Sequence, residues 1–207
     1  MQASDSPLFT PSEAAVLTRL SVKAVNNAID KKTVPATSGR RAGHATRLLD
    51  LRALMSLALE RRLADRMVPG LRRELFEALT DAQRSTVSLE GGLIKVDLRE
   101  PRRELAAALR ELRRARQLVV SDPGILGGEP VFRGTRVPVQ AIASQLAEGE
   151  SEAGLRQAYP RLTSEMVRLA PLYVAAYPSR GRPRSQPWHG AVPVRRMRRR
   201  LAATSAR

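Results

Sequence analysis

Aromatic residues make up 3% of this chain: one Trp, three Tyr and three Phe among 207 residues. Hydrophobic residues nonetheless reach an ordinary 43%, so a core must be assembled mainly from Leu, Val and Ala. That palette favours helices. The length allows one or two small domains with a real hydrophobic interior.

Helix punctuation is strong near the start. Thr10-Pro11-Ser12-Glu13 has a capping hydroxyl, a proline for the first turn and a glutamate three residues after the cap. Ser21 starts a second helix in which Val22, Val25 and Ile29 share one face and Lys23, Asn26, Asn27 and Asp30 the other. The tight break at Arg19-Leu20 makes the pair a helix-turn-helix. The basic loop 38–44, between Val34 and Leu48-Leu49, predicts a β-hairpin wing. Asp50 then caps a helix from Leu51 to about Arg66 that buries Leu51, Leu54, Met55, Ala58 and Leu59. This pattern resembles the winged helix-turn-helix of the MerR and excisionase group.

From Pro69 to about Leu118, two helical stretches surround a hairpin that turns at Glu90-Gly91-Gly92. The second helix opens at Pro101 and places Leu105, Ala108, Leu109 and Leu112 inward. Its other side carries Arg102, Arg103, Arg110, Arg113, Arg114 and Arg116, a pattern usual for a solvated helix face.

The next stretch, from Val119, is rich in Pro and Gly and predicts turns with short strands. Three short helices follow. The first is marked by Val137, Ile142 and Leu146 and ends at Gly149; the others are capped by Ser151 and Thr163, with a break at Tyr159-Pro160. Residues 122–139 read D-P-G-I-L-G-G-E-P-V-F-R-G-T-R-V-P-V. Gly127, Gly128 and Gly134 suit tight turns. Arg133 and Arg136 place two guanidinium groups at one turn, where they either satisfy carbonyls of the fold or pair with an acidic partner. A phosphate-cradling loop is excluded because no Lys-Ser/Thr pair follows the glycines.

This cassette, with the later Y-P-R-L-T, resembles a small bacterial antitoxin-type domain of unknown function over residues 118–177. The whole arrangement resembles VapB-type antitoxins with an N-terminal winged helix-turn-helix. The resemblance implies an antitoxin paired with a PIN-like ribonuclease toxin.

No catalytic constellation is visible. There are no cysteines, and the two histidines, His44 and His189, fall in a loop and the tail. A nucleophile–base pair, a metal cluster and a cofactor site are therefore not expected, and the chain reads as a binding protein, not an enzyme. Neither a signal peptide nor an apolar span of about 18 residues is seen, so a cytoplasmic protein without membrane insertion is expected.

The formal net charge is +16, and nine arginines with no acidic residue lie between Pro178 and Arg207, leaving +7 for residues 1–177. An anionic partner is implied. In a winged helix-turn-helix, Lys23, Asn26 and Asn27 would meet bases or backbone, and Arg40, Arg41, His44 and Arg47 would meet phosphates or the minor groove. Prolines 178, 183, 187 and 193 predict an extended, initially disordered tail. Three uses are open for it: a nonspecific DNA clamp, a solvated end, or an arm that wraps the toxin. Trp188, with apolar residues interleaved among Arg195, Arg196, Arg198, Arg199 and Arg200, favours the last. A guanidinium there would enter the carboxylate-lined, metal-binding site of the nuclease.

The expected fold is mainly α with short β-hairpins. Two small helix-turn-helix-like units are joined by a helical and hairpin middle and followed by an extended basic tail. The expected division is 8–66 for DNA binding, 67–118 as a candidate dimerisation region, 119–177 as the antitoxin-type domain and 178–207 as the toxin-binding tail. The function expected is an antitoxin of a type II module that neutralises a PIN-like ribonuclease and represses its own operator DNA, as a homodimer within a hetero-oligomer. The alternative is a stand-alone winged regulator whose basic tail clamps DNA.

Overall fold

Thr10 opens the first helix, α1 (Pro11–Thr18), through a closed capping box. Its hydroxyl accepts from the Glu13 amide at 3.3 Å, and Glu13 Oε2 accepts from the Thr10 amide at 2.8 Å. The computed structural model describes residues 7–41, 43–63, 68–79 and 85–179. Within them the chain is mainly helical with short antiparallel hairpins.

Arg19 takes a left-handed conformation (φ 56°) that ends α1. The Ser21 hydroxyl then accepts from the Ala24 amide at 3.1 Å and starts α2 (Val22–Asp30). The inward face differs from the periodicity reading. Val25 and Ala28 are buried, whereas Val22 is 41% exposed, because the first turn of α2 overhangs a groove instead of α1.

Strands β1 (Thr37–Arg41) and β2 (His44–Leu48) form the expected hairpin, in register from Thr37↔Leu48 to Arg41↔His44. Gly39 permits a close approach: a Cβ there would stand 2.4 Å from Leu48 Cδ1. A two-way backbone bridge of 2.8 Å in each direction joins Phe9 to Leu49 and ties the start of the described chain to the base of the hairpin. Asp50 Oδ1 accepts from the Ala53 amide at 2.7 Å at the head of α3 (Leu51–Leu63). Leu51, expected inside, is 38% exposed, while Ala53, Leu54, Met55, Leu57 and Leu59 are all buried. A single inward stripe was the wrong pattern here, since α1 and two later helices cover α3 from several sides.

Those two are α4 (Pro69–Ala78) and α5 (Arg99–Gln117), the latter beginning two residues before Pro101. Between them, β3 (Thr86–Leu89) pairs antiparallel with β4 (Ile94–Asp97) around a turn in which Gly91 and Gly92 have φ of 62° and 103°. Asp97 organises the junction into α5. Its carboxylate accepts from the Arg99 amide at 2.9 Å and from the Arg99 guanidinium at 2.7 Å, and these bonds hold its pKa at about 2.

The remaining elements are β5 (Val119–Val120), β6 (Val131–Phe132), α6 (Val139–Ala147), α7 (Glu152–Ala158) and α8 (Ser164–Ala176). They surround a second core of Phe132, Val139, Ile142, Leu155, Leu162, Met166 and Val167. The first core, from Phe9 to Leu112, is the larger. Helix α8 belongs to both. Val167 and Ala170 pack in the second core, and Ala176 with the adjoining Leu172 and Tyr177 packs in the first. On the surface, Glu165 accepts two 2.8 Å bonds from Arg114, and Arg168 donates to Glu111 at 2.8 Å, which sets α8 against α5.

Replacing Thr10 with Ala removes the cap and is expected to lower stability by about 1 kcal/mol in urea denaturation. Asp97 is expected to titrate near 2. Its depressed pKa means that the Arg99 contact stabilises the chain above the ordinary carboxylate range and is lost as pH falls towards 2. Following its carboxyl carbon by NMR in wild type and Arg99→Ala checks this, since the variant should return the midpoint towards 3.8.

Candidate nucleic-acid interface

Helix α2 and the β1–β2 hairpin stand beside each other, and an open groove of about 510 Å³ separates them. Its walls are Val22 and Asn26 on one side and Ser38, Gly39, Ala45, Thr46 and Arg47 on the other. Thr10, Pro11 and Ser12, at the start of α1, complete it. Two helix N-termini therefore open towards this groove, each bringing partial positive charge.

Arg47 spans the two elements. Its guanidinium donates to Asn26 Oδ1 at 2.6 Å and forms a short ion pair with Asp30. Of the residues singled out for nucleic acid, Asn26 and Arg47 are thus engaged with one another, and Arg47 fixes the hairpin on α2. Arg41 is also turned inward, 3.6 Å from the buried carboxylate of Glu13. Arg40 is exposed and donates to the Gly43 carbonyl at the hairpin tip at 2.9 Å. Lys23, Asn27 and His44 are exposed.

Glu13 was legible only as a helix start. In the fold it is 2% exposed; it accepts from the Thr10 amide, pairs with Arg41 and lies beside Tyr177. Burial and the neighbouring Glu13 push the Tyr177 hydroxyl well above its ordinary pKa. The end of α8, the head of α1 and the hairpin therefore meet at one carboxylate. The start of α1 was also missed as a wall of the groove; a capped N-terminus ahead of a basic hairpin was the available signal.

The glycine-rich cassette folds as a cage of turns. Gly127, Gly128 and Gly134 have φ of 66°, 87° and 76°. The Thr135 hydroxyl donates to the Phe132 carbonyl at 2.9 Å and accepts from the Val137 amide at 3.1 Å. Arg133 donates through Nε to the Gln117 carbonyl at 3.0 Å, while Arg136 is exposed. Buried Phe132 plugs the cage into the second core.

Residues 119–174 match the family described as a protein of unknown function, DUF433. The uncharacterized protein y4eO of Sinorhizobium fredii (strain NBRC 101917 / NGR234) is 37% identical to this chain over 187 residues. The match spans 86% of this chain and 85% of that protein. The chain belongs to the y4eO family. A crystal structure of Rv2018 from Mycobacterium tuberculosis aligns over 80% of this chain and 97% of that one, with 18% identity and a TM-score of 0.29. The DUF433 segment thus comprises the turn cage, α6, α7 and most of α8, so the helix that ends it is also the one that reaches Glu13.

Trp188, Arg195, Arg196, Arg198, Arg199 and Arg200 lie outside the described residues. Among the described residues there is no cluster of three or more His, Asp or Glu side chains placed to hold a metal, and no helix is long and apolar enough to cross a membrane.

Arg47→Ala is expected to loosen the hairpin from α2 without unfolding the chain. Hydrogen exchange of amides in residues 37–48 should rise about threefold, close to 0.6 kcal/mol, with the α5 amides unchanged.

Proposed function

We propose that this chain is a DNA-binding antitoxin. The N-terminal helix-turn-helix and hairpin read operator DNA, and the residues after α8 neutralise a PIN-like ribonuclease. The observation that carries the DNA half is the placement of α2 against a basic hairpin, with Lys23 and Asn27 exposed on the helix and Arg40 and His44 on the hairpin. An exposed amide on a helix matches the donor and acceptor pair on an adenine edge, and the cations match phosphates. Asn26 and Arg47 act on this reading as positioning residues that hold helix and hairpin at a set spacing.

The toxin half rests on the resemblance of residues 122–139 to an antitoxin-type cassette and on the nine arginines that follow α8. A guanidinium offered to a carboxylate-lined nuclease site would satisfy those carboxylates in place of a metal ion.

The full chain is expected to bind the DNA upstream of its own gene, measured by fluorescence anisotropy across a salt series. Asn27→Ala should cost about 1–3 kcal/mol on that site and little on random DNA, and Lys23→Ala should lower the salt slope by about one. Equal loss on both DNAs for Asn27→Ala would remove it from base reading. For the toxin half, the full chain and a chain ending at Tyr177 are each co-expressed with the neighbouring PIN-like nuclease. Growth rescue by the full chain alone supports the arm, and equal rescue by both overturns it.

A further inference from the structure

The β3–β4 hairpin is a two-stranded sheet with unequal edges. Strand β3 packs against α4, and its Val87 and Leu89 are buried. Strand β4 has no second partner strand among the described residues, and Ile94, Lys95 and Asp97 on it are exposed. The Leu98 amide donates to the Ser85 carbonyl at 2.8 Å. Hydrogen-bonded and non-hydrogen-bonded pairs alternate in an antiparallel ladder. With the register Val87↔Val96 and Ser88↔Lys95, the amides and carbonyls of Val96 and Ile94 therefore face β3. Those of Lys95 and Asp97 face the open edge.

This edge is complementary to itself. If two copies of β4 pair antiparallel about Val96, Lys95 of each falls opposite Asp97 of the other. Both are edge-facing residues, so each Lys95–Asp97 pair can exchange two backbone hydrogen bonds, as the ladder requires. The same register sets an ammonium against a carboxylate twice, on the polar face shared with Thr86 and Ser88. On the opposite face Val96 meets its own copy, with Ile94, 39% exposed in the single chain, flanking it. A shift by one residue would place Lys95 against Val96 and lose both charge pairs, and a shift by two would set Lys95 against Lys95 or Asp97 against Asp97. We infer that β4 is the contact edge of a homodimer, forming a four-stranded β3–β4–β4–β3 sheet centred on Val96.

Lysine on a strand edge is also a common guard against edge pairing. What separates the two readings is the acidic residue two positions away, which turns repulsion between copies into attraction. Arg99 already bonds both oxygens of Asp97 from its own chain, so Lys95 of a second copy would add another cation to that exposed carboxylate. The inference is independent of DNA or toxin binding.

Sedimentation equilibrium of the full chain at high micromolar concentration is the test. Wild type should be dimeric. Lys95→Asp sets like charges opposite each other and should weaken the dimer about tenfold or more. The double variant K95D/D97K restores opposite charges across the axis and should recover dimerisation, and circular dichroism should show all forms folded. Lys95→Pro, which removes an amide facing only the open edge, gives a second check and should yield monomer with the hairpin intact. A monomeric wild type overturns the inference, and so does a dimer that tolerates both Lys95→Asp and Lys95→Pro.

Discussion

Burial of the Glu13 side chain constrains much of this molecule. A carboxyl group with almost no access to water must find donors inside the fold, because an unpaired one would cost several kcal/mol. Glu13 finds the Thr10 amide, which starts α1, and the Arg41 guanidinium of the hairpin, and it lies beside Tyr177 at the end of the last described helix. Elements separated by more than 160 residues in sequence are thereby held at one point. The tilted stacking of Tyr177 on Tyr173, 4.8 Å between ring centres, steadies the far side of the contact.

Helix α8 carries this constraint into the rest of the fold. Its first turns fill the second core and its last turn fills the first, so the DUF433 segment and the helix-turn-helix are packed through a shared helix. Two surface ion pairs to α5 add little energy at their exposure, but they define the register between the helices. Pro171 lies on the exposed side of α8, and its missing amide hydrogen leaves the Val167 carbonyl without its usual helical donor.

The candidate interface depends on a smaller balance. Arg47 has donors for two acceptors, and Asn26 and Asp30 both lie on the side of α2 facing the hairpin. Using them there removes a cation and an amide from the exposed set. It also converts two loosely connected elements into one surface. Lys23, Asn27, Arg40 and His44 then stand on a support set by the groove, with two helix N-termini opening towards it.

The capping box at Thr10 and the caps at Ser21, Asp50, Ser151 and Thr163 were legible in the sequence, because each is a local exchange between a side chain and an amide three residues away. So were both larger hairpins, the positive-φ glycines of the cassette and the helical character that follows from a core of Leu, Val and Ala. Faces were less legible. Val22 and Leu51 follow helical periodicity yet lie exposed, because burial depends on which neighbours arrive from elsewhere in the chain. The same holds for roles. Local sequence marked Arg41 and Arg47 as cations of a wing, and only the tertiary structure turned one towards Glu13 and the other onto Asn26 and Asp30. Sequence determines what a residue can offer within a few positions; the fold decides who accepts it, since a long-range partner is set by the packing of whole helices.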